Sequence, residues 1–201
     1  MASFYYTFVA KCGELGITIA ETQTFTSSTN TDFSTQVSAL VSSGVKLVFI
    51  PLYAEEASTF LTQAHGKFAD DVYFFGADGL DGILGKVEQD TSLANNVLML
   101  PPFAADNPAE NVQSFVKKYQ EAYGATPDQF AADAYDAIYA IKAAVEKAGS
   151  TSGAALASAL TSLTVEGVTG TMTWGSDGNT NKPASAILYY DGVGTLFDSQ
   201  D

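Results

Sequence analysis

The sequence predicts an α/β protein built on a parallel sheet. The first observation is the continuous apolar run at residues 46–50, which is typical of a parallel strand buried on both faces. The second is the presence of two more short apolar runs, at residues 72–75 and 96–100. Helical patterns and turns separate the three runs, and this alternation indicates βαβ units and a parallel sheet.

The first hundred residues contain further elements of the same kind. Residues 4–12 have a helical pattern, and residues 17–25 (ITIAETQTF) alternate apolar and polar side chains. That alternation predicts a strand with one covered face. A second helix follows Thr31 or Asp32, either of which can cap it, and a third helix is predicted at about residues 55–65.

The pattern changes after Pro101-Pro102. Three helices are predicted without a strand between them, at residues 107–123, 127–148 and 154–163. Consecutive helices of this kind suggest a segment that packs on something other than the first sheet. The rest of the chain has a β pattern, with a strand at 169–174, a turn at 175–183, a strand at 186–190 and a last extended piece that reaches Phe197.

Composition excludes some classes of partner. The 201 residues include nine lysines, no arginine and 23 acidic residues, for a formal net charge of −14. Phosphate contacts need clustered cations, and anionic membranes attract polybasic segments, so we expect neither nucleic acid nor an anionic membrane surface as a partner. No apolar run approaches the roughly 20 residues that span a bilayer, and the first residues lack the features of a signal peptide.

The sequence offers little for a catalytic or metal site. Cys12 is the single cysteine and His65 the single histidine, so neither a disulfide nor a His/Cys cluster is expected. One turn resembles the start of a calcium loop, with oxygen-bearing side chains at Asp177, Asn179 and Asn181. Lys182 replaces the glycine of such a loop and Leu188 its final glutamate. With no nucleophile–base pair or phosphate-binding loop in view, we expect a protein that is not an enzyme and needs no cofactor.

Two strand ends carry side chains suited to ligand binding. In open α/β sheets, ligands bind at the carboxyl ends of the strands. Tyr53 follows the strand at 46–50, and Asp78 lies in a glycine-flanked turn after the strand at 72–75. A carboxylate beside a tyrosine suits a ligand ammonium group. The alternative is that Asp78 only caps the turn and Tyr53 only packs.

Several short motifs, taken in order, resemble those of a known family. They are Asn30-Thr31-Asp32-Phe33-Ser34, Pro51-Leu52-Tyr53, Gly76-Ala77-Asp78-Gly79, Phe130-Ala131-Ala132 with Ala134-Tyr135-Asp136-Ala137, and Gly167-Val168-Thr169-Gly170 with Asp177-Gly178-Asn179. The set resembles the substrate-binding proteins of ABC transporters of the branched-chain amino-acid (Leu/Ile/Val) type, which have the periplasmic binding protein type I fold. The resemblance covers essentially the whole chain.

The resemblance implies a parallel three-layer α/β sandwich and a receptor whose two lobes close on a small amino acid or a related amine or amide solute. It implies that Tyr53 and Asp78 contact the ligand from the second lobe, with the acid holding the α-ammonium group. Ala77, beside that acid, and Phe130, as an aromatic that closes the pocket, complete the implied ligand contacts. The implied partner is an ABC permease, and the implied location is extracytoplasmic, in the periplasm or at the cell surface.

The chain also departs from the family. It begins where the first helix of the second lobe would begin, so we expect a protein truncated at the N-terminus, without the first lobe and without the opening strand of the second. Residues 1–103 are predicted to form the second-lobe ligand-binding domain, 104–167 a helical segment of the absent first lobe, and 168–201 a C-terminal β segment.

A receptor with only one of its two ligand-binding lobes is expected to bind its ligand weakly or not at all. Self-association is also predicted, because the inner faces of the helices at 107–123 and 127–148 would be exposed. Two other interpretations stay open, namely a ligand-sensing receptor module on the same fold and an engineered or structural half-receptor.

Overall fold

The protein is described by a computed structural model that covers residues 2–182 and 184–197. These residues form two compact units. The first unit contains the chain up to Leu100 together with Ile187–Thr195, and the second contains Pro101–Ala186 and the residues from Leu196 on. Pro183, at the end of the predicted turn, and the last four residues of the predicted C-terminal segment lie outside the described residues. The predicted lobe assignment of 1–103, 104–167 and 168–201 stays a prediction.

The helices follow the predicted order with small shifts at their ends. They are α1 (Ala2–Glu14), α2 (Ser34–Ser42), α3 (Ala54–Ala64), the short α4 (Ile83–Lys86), α5 (Glu110–Tyr123), α6 (Gln129–Ala148) and α7 (Gly153–Leu160). At the start of α2 the N-cap position is Phe33. Asp32, one of the two predicted caps, accepts hydrogen bonds from the N–H and the hydroxyl of Ser34, and these bonds lower the pKa of the Asp32 carboxyl.

The first unit contains a five-stranded sheet in the order β1-β2-β3-β6-β7. Its strands are β1 (Leu47–Phe49), β2 (Tyr73–Gly76), β3 (Val97–Met99), β6 (Ile187–Tyr190) and β7 (Val193–Leu196), while β4 (Thr164–Gly167) and β5 (Gly170–Thr173) form a separate sheet. β1, β2 and β3 are parallel, and β6 joins antiparallel to β3. The predicted α/β class with a parallel sheet is confirmed, with an antiparallel extension of the kind common in mixed sheets.

Helices cover both faces of this sheet. Paired residues share a face in a parallel ladder, so Val48 lies on the same face as Phe74. On that face, the ring of Phe60 from α3 lies 6.0 Å from the ring of Phe74. On the opposite face, the ring of Phe8 from α1 stacks on Phe49 with centroids 4.2 Å apart. The result is the three-layer arrangement that the resemblance implied.

The strand predicted at residues 17–25 is wrong. In the part of the chain that the structure describes, this segment pairs with no strand, and Ile17 and Ile19 are 55% and 37% exposed. Alternation of apolar and polar side chains indicates a segment that can pair, but a strand forms only when a neighbour offers a free backbone edge within hydrogen-bonding distance. The alternating pattern carried no information about that neighbour.

The second unit joins helices α5, α6 and α7 to the hairpin of β4 and β5. The sequence predicted only the second of these strands, because β4 (TVEG) is too short and too polar to stand out. Side chains from α5 form the apolar core with its neighbours Phe103, Ala132 and Val168. The prediction that α5 exposes its inner face is wrong, because Val112, Phe115 and Val116 are all buried in this core.

Unlike α5, α6 leaves its large apolar side chains exposed. Its buried positions carry mostly small residues, and they include Ala132, Asp136 and Ala140. Its large apolar side chains are exposed, as predicted for the helix at 127–148: Phe130 51%, Tyr135 37%, Ile138 66%, Tyr139 49% and Ile141 51%. We call these five side chains the α6 apolar face.

Asp136 links α6 to the turn between β4 and β5. The side chain is 1% exposed. Its Oδ1 accepts the N–H of Val168 at 2.9 Å, and its Oδ2 accepts the N–H and the hydroxyl of Thr169 at 2.8 and 2.5 Å. Buried carboxylates are tolerated when such donors satisfy them, so Asp136 stabilises the hairpin in this unit.

Candidate functional site

The candidate site lies where β1 and β2 end. The two strands run in the same direction, and Phe49 pairs with Phe75 near their carboxyl ends. After β1 the chain turns into α3, with Tyr53 at the N-cap position of that helix. After β2, Ala77 occupies the N-cap position of a single 3-10 turn at Asp78–Leu80. Parallel pairing therefore places the predicted residues at one edge of the sheet.

The segments that follow β1 and β2 are in close contact at Gly79. A Cβ atom placed on Gly79 would lie 2.9 Å from the carbonyl oxygen of Leu52 and 3.1 Å from Cδ1 of Tyr53. The first distance is shorter than real Cβ contacts, so no larger residue fits there without movement of the backbone. The Tyr53 ring thus lies against the turn that carries Asp78. The sequence indicated a glycine-flanked turn at this position but not the contact of Gly79 with Tyr53.

The polar groups at this edge are accessible. Tyr53 is 63% exposed, the Asp78 side chain is exposed and Ala77 is half-buried. A carboxylate next to the face of a phenol ring can receive an ammonium group by a charge-assisted hydrogen bond and a cation–π contact. The structure brings Tyr53, Ala77 and Asp78 together, and their role as ligand contacts stays a prediction.

A neighbouring acid at the start of α3 is already neutralised. Glu55 forms an ion pair with Lys86 from α4, with Oε2 and Nζ 2.6 Å apart. The hydrogen bond from Lys86 to Glu55, followed by their charge attraction, raises the pKa of the Lys86 ammonium group. The lysine therefore stays charged at any physiological pH, and Glu55 is held by a partner of its own.

Phe130, the fourth predicted contact, belongs to the second unit. It is the second residue of α6 and is 51% exposed. The helix start is fixed by Asp128, whose side chain accepts a hydrogen bond from the N–H of Ala131 at 2.8 Å. Phe130 therefore sits on an ordered helix turn, and its predicted role in closing a pocket stays a prediction.

The residues considered for catalysis or metal binding lie at the end of one helix, inside another helix and in a hydrogen-bonded turn. His65 is exposed at the C-terminal end of α3, and Cys12 is buried in α1. In the calcium-like turn, Asp177 accepts bonds from the N–H and the side-chain amide of Asn179. Within the described ranges no three His, Cys, Asp or Glu side chains are arranged to hold a metal ion, and no helix there is long and apolar enough to cross a bilayer.

Comparison with known proteins gives a consistent family. A family model described as periplasmic binding protein matches residues 3–192. The Leu/Ile/Val-binding protein homolog 3 of Brucella melitensis biotype 1 is 29% identical over 164 residues, which are 80% of this chain and 43% of that protein.

Two solved structures extend the comparison. A leucine-binding protein of Thermotoga maritima MSB8 superposes with a TM-score of 0.80 and 26% identity, over 95% of this chain and 54% of that one. The branched-chain amino acid transporter substrate-binding protein of Streptococcus pneumoniae, solved with isoleucine, gives 0.78 and 25%, over 92% and 53%. This chain spans about half the length of these relatives, which are binding proteins and not enzymes.

Proposed function

Because the chain belongs to the periplasmic binding protein family, we propose that it is a solute-binding component of an ABC importer for amino acids. The proposed ligand is a small amino acid or a related amine or amide solute, bound at the edge where β1 and β2 end. Two relatives support this ligand class, since one is described as a leucine-binding protein and the other was solved with isoleucine.

The observation that carries the proposal is the contact between the Tyr53 ring and the turn of Asp78. In the proposed complex, Asp78 accepts hydrogen bonds from the ligand ammonium group and Tyr53 offers its ring face to the same charge. Ala77 contacts the ligand beside the acid, and a ligand contact at Phe130 stays what the family resemblance implies.

We propose that binding by this chain is weak. Groups at one sheet edge contact one side of a ligand, and a ligand held on one side keeps most of its surface in water. In a two-lobed receptor, closure around the ligand supplies the remaining contacts.

The proposed partner is an ABC permease, and the proposed location is extracytoplasmic, as for the family.

The test is a ligand titration in which the ammonium group is the variable. Leucine, isoleucine and valine are titrated by calorimetry and by NMR shifts, next to 4-methylpentanoate, which is leucine without its amine. We expect the amino acids to bind more tightly than the amine-free acid. Asp78→Asn should weaken leucine binding by about tenfold or more, as expected for the loss of one charge-assisted contact.

Asp70→Asn is the matched control, because it removes the same charge from an exposed position in the same unit. The control should bind leucine as the unchanged protein does. The proposal fails if 4-methylpentanoate binds as well as leucine, or if Asp78→Asn and Asp70→Asn give the same affinity.

We also propose self-association through the α6 apolar face. Five large apolar side chains that are each more than a third exposed form an unusual surface for a monomer. In the proposed assembly this face packs against the same face of a second copy, as in symmetric dimers. α5 has no part in it, because its inner side chains are buried in the core of the unit.

A further inference from the structure

The turn that carries Asp78 contains one fully buried side chain. Ala77 and Gly79 are half-buried and Asp78 is exposed, whereas Leu80, the last residue of the 3-10 turn, is 0% exposed. Short turns with few buried contacts open readily. Leu80 is therefore the side chain of this turn that can anchor it in the core of the first unit.

The anchor lies on Gly76, the last residue of β2. A Cβ atom placed on Gly76 would overlap Cδ1 of Leu80 and would lie 2.6 Å from its Cγ. The same Cβ position is 3.5 Å from the carbonyl oxygen of Ile50, the residue that follows β1. The Leu80 side chain thus fills the space that any larger residue at position 76 would need, where β1 and β2 end.

The two glycines that flank Asp78 are needed for space. Neither Gly76 nor Gly79 has a positive φ, so the backbone conformation alone would admit other residues. The Cβ position of Gly79 is blocked by the Leu52 carbonyl oxygen, and that of Gly76 by the Leu80 side chain. The turn is therefore in close contact with its surroundings both before and after Asp78.

Two backbone hydrogen bonds close the turn and report on its order. The N–H of Leu80 donates to the carbonyl of Ala77 at 3.1 Å, and the N–H of Asp81 donates to the carbonyl of Asp78 at 3.0 Å. Hydrogen exchange at residues 80 and 81 therefore measures how often the turn opens.

We propose that Leu80 is the positioning residue of Asp78. Its side chain, packed in the space that Gly76 leaves free, holds the turn so that the carboxylate is fixed before the ligand arrives. A site that is already ordered loses less freedom on binding. When a turn is in its binding arrangement for only a fraction of the time, the apparent affinity falls by that fraction. The effect on ligand binding rests on the proposed function, whereas the effect on the turn does not.

The alternative is that Leu80 contributes only to the stability of the unit. In that case any buried leucine of the unit would serve equally well. Leu61 on α3 is the matched control, because it is 2% exposed and belongs to the same unit. Leu80→Ala and Leu61→Ala then remove the same atoms from equally buried places.

Both truncations should lower the midpoint of urea unfolding, but only one should affect the turn. Leu80→Ala should speed hydrogen exchange at residues 80 and 81 by about tenfold or more, and raise the dissociation constant of leucine by a similar factor. The amide of Phe74, which bonds to Asn96 within the sheet, is the internal reference for exchange. Leu80→Met keeps the volume and should restore both values to within about twofold.

Gly76→Ala tests the same contact from the other side. The added methyl group displaces Leu80 and should raise the dissociation constant of leucine by about tenfold. With Leu80→Ala added, the methyl group enters the vacated space. The double variant should then lose about as much affinity as one single variant, and not the roughly hundredfold product of two independent losses. The double variant and Leu80→Met keep much of the volume, so they decide the matter if Leu80→Ala does not fold.

Three results would each overturn the positioning role of Leu80. They are unchanged exchange at residues 80 and 81 in Leu80→Ala, equal weakening of leucine binding by Leu61→Ala, and multiplied losses in the double variant. Failure of the proposed function looks different, because the unchanged protein would then bind 4-methylpentanoate as well as leucine. Hydrogen exchange would in that case decide by itself whether Leu80 holds the turn.

Discussion

Helices α5 and α6 belong to the same unit and have similar apolar periodicity, yet they bury opposite kinds of side chain. α5 buries Phe115 and Val116 in the core, whereas α6 buries Ala132 and Asp136 and leaves Ile138 66% exposed. The period of the apolar residues defines a face on each helix. Whether that face is covered depends on what packs beside it, and the sequence of the helix does not contain that information.

The sharpest test of this comparison truncates one large side chain on each helix. Phe115→Ala opens a cavity among Phe103, Val112 and Val168, and should lower the free energy of unfolding by about 3–5 kcal/mol. Ile138→Ala truncates a side chain that is exposed in the monomer, so at a protein concentration too low for the proposed assembly it should change the free energy of unfolding by less than about 0.5 kcal/mol. Urea unfolding followed by Trp174, the single tryptophan and a residue of the same unit, measures both. Similar losses for the two variants would mean that the α6 apolar face is covered.

The second test concerns the polar group that α6 buries. Asp136→Ala leaves the backbone N–H groups of Val168 and Thr169 without acceptors in a buried place, and should lower the free energy of unfolding by about 3 kcal/mol. Thr169→Val removes only the hydroxyl bond to Asp136 and should cost about 1 kcal/mol. Both are measured by urea unfolding. An Asp136→Ala loss no larger than that of Thr169→Val would contradict the bridging role of the carboxylate.

The third test asks whether a second copy covers the α6 apolar face. Ile138→Glu places a charge at its most exposed apolar residue and should raise the dissociation constant of the assembly by about tenfold or more. Ser114→Glu adds the same charge at an exposed position of α5 and should leave assembly unchanged. Light scattering and sedimentation velocity report the mass. A clean monomer of the unchanged protein at micromolar concentration would end the self-association proposal.

The smallest effect is expected at the tyrosine pair of the same face. The Tyr135 hydroxyl bonds to that of Tyr139 at 3.4 Å, and this bond, with partial burial, raises the pKa of Tyr135. Because the folded pKa lies above the unfolded value of about 10, its contribution to stability is complete below pH 10 and lost as the pH rises through the folded pKa. Tyr139→Phe should lower the Tyr135 pKa and flatten this alkaline loss, as followed by tyrosinate absorbance. An unchanged titration would show that the bond does not form.

The sequence was most informative where an element carries its own signal. The helix predicted at about residues 55–65 is present as α3, and its apolar residues Ala57, Phe60, Leu61 and Ala64 are buried. The continuous apolar runs of β1, β2 and β3, separated by helical patterns, were enough to identify parallel strands. The positions of Tyr53 and Asp78 then followed, because the ends of parallel strands share an edge.

The features that were missed depend on distant partners. The segment at residues 17–25 has the alternation of a strand but pairs with no strand in the described part of the chain. β4 exists through its pairing with β5, and Asp136 is buried because donors 32 and 33 residues away meet it. The sequence of a short segment does not show which distant residues will pair or pack with it.

The contact between Gly79 and Tyr53 limits how this site can evolve. Any side chain at residue 79 would collide with the carbonyl oxygen of Leu52, so no other residue can replace this glycine unless the backbone moves. In the proposed site, new ligand preferences would therefore arise by changes at residue 53, which is 63% exposed, or at residue 77, which is half-buried. A library that holds Gly79 and Asp78 fixed while it varies those two positions would explore the part of sequence space that the fold leaves open.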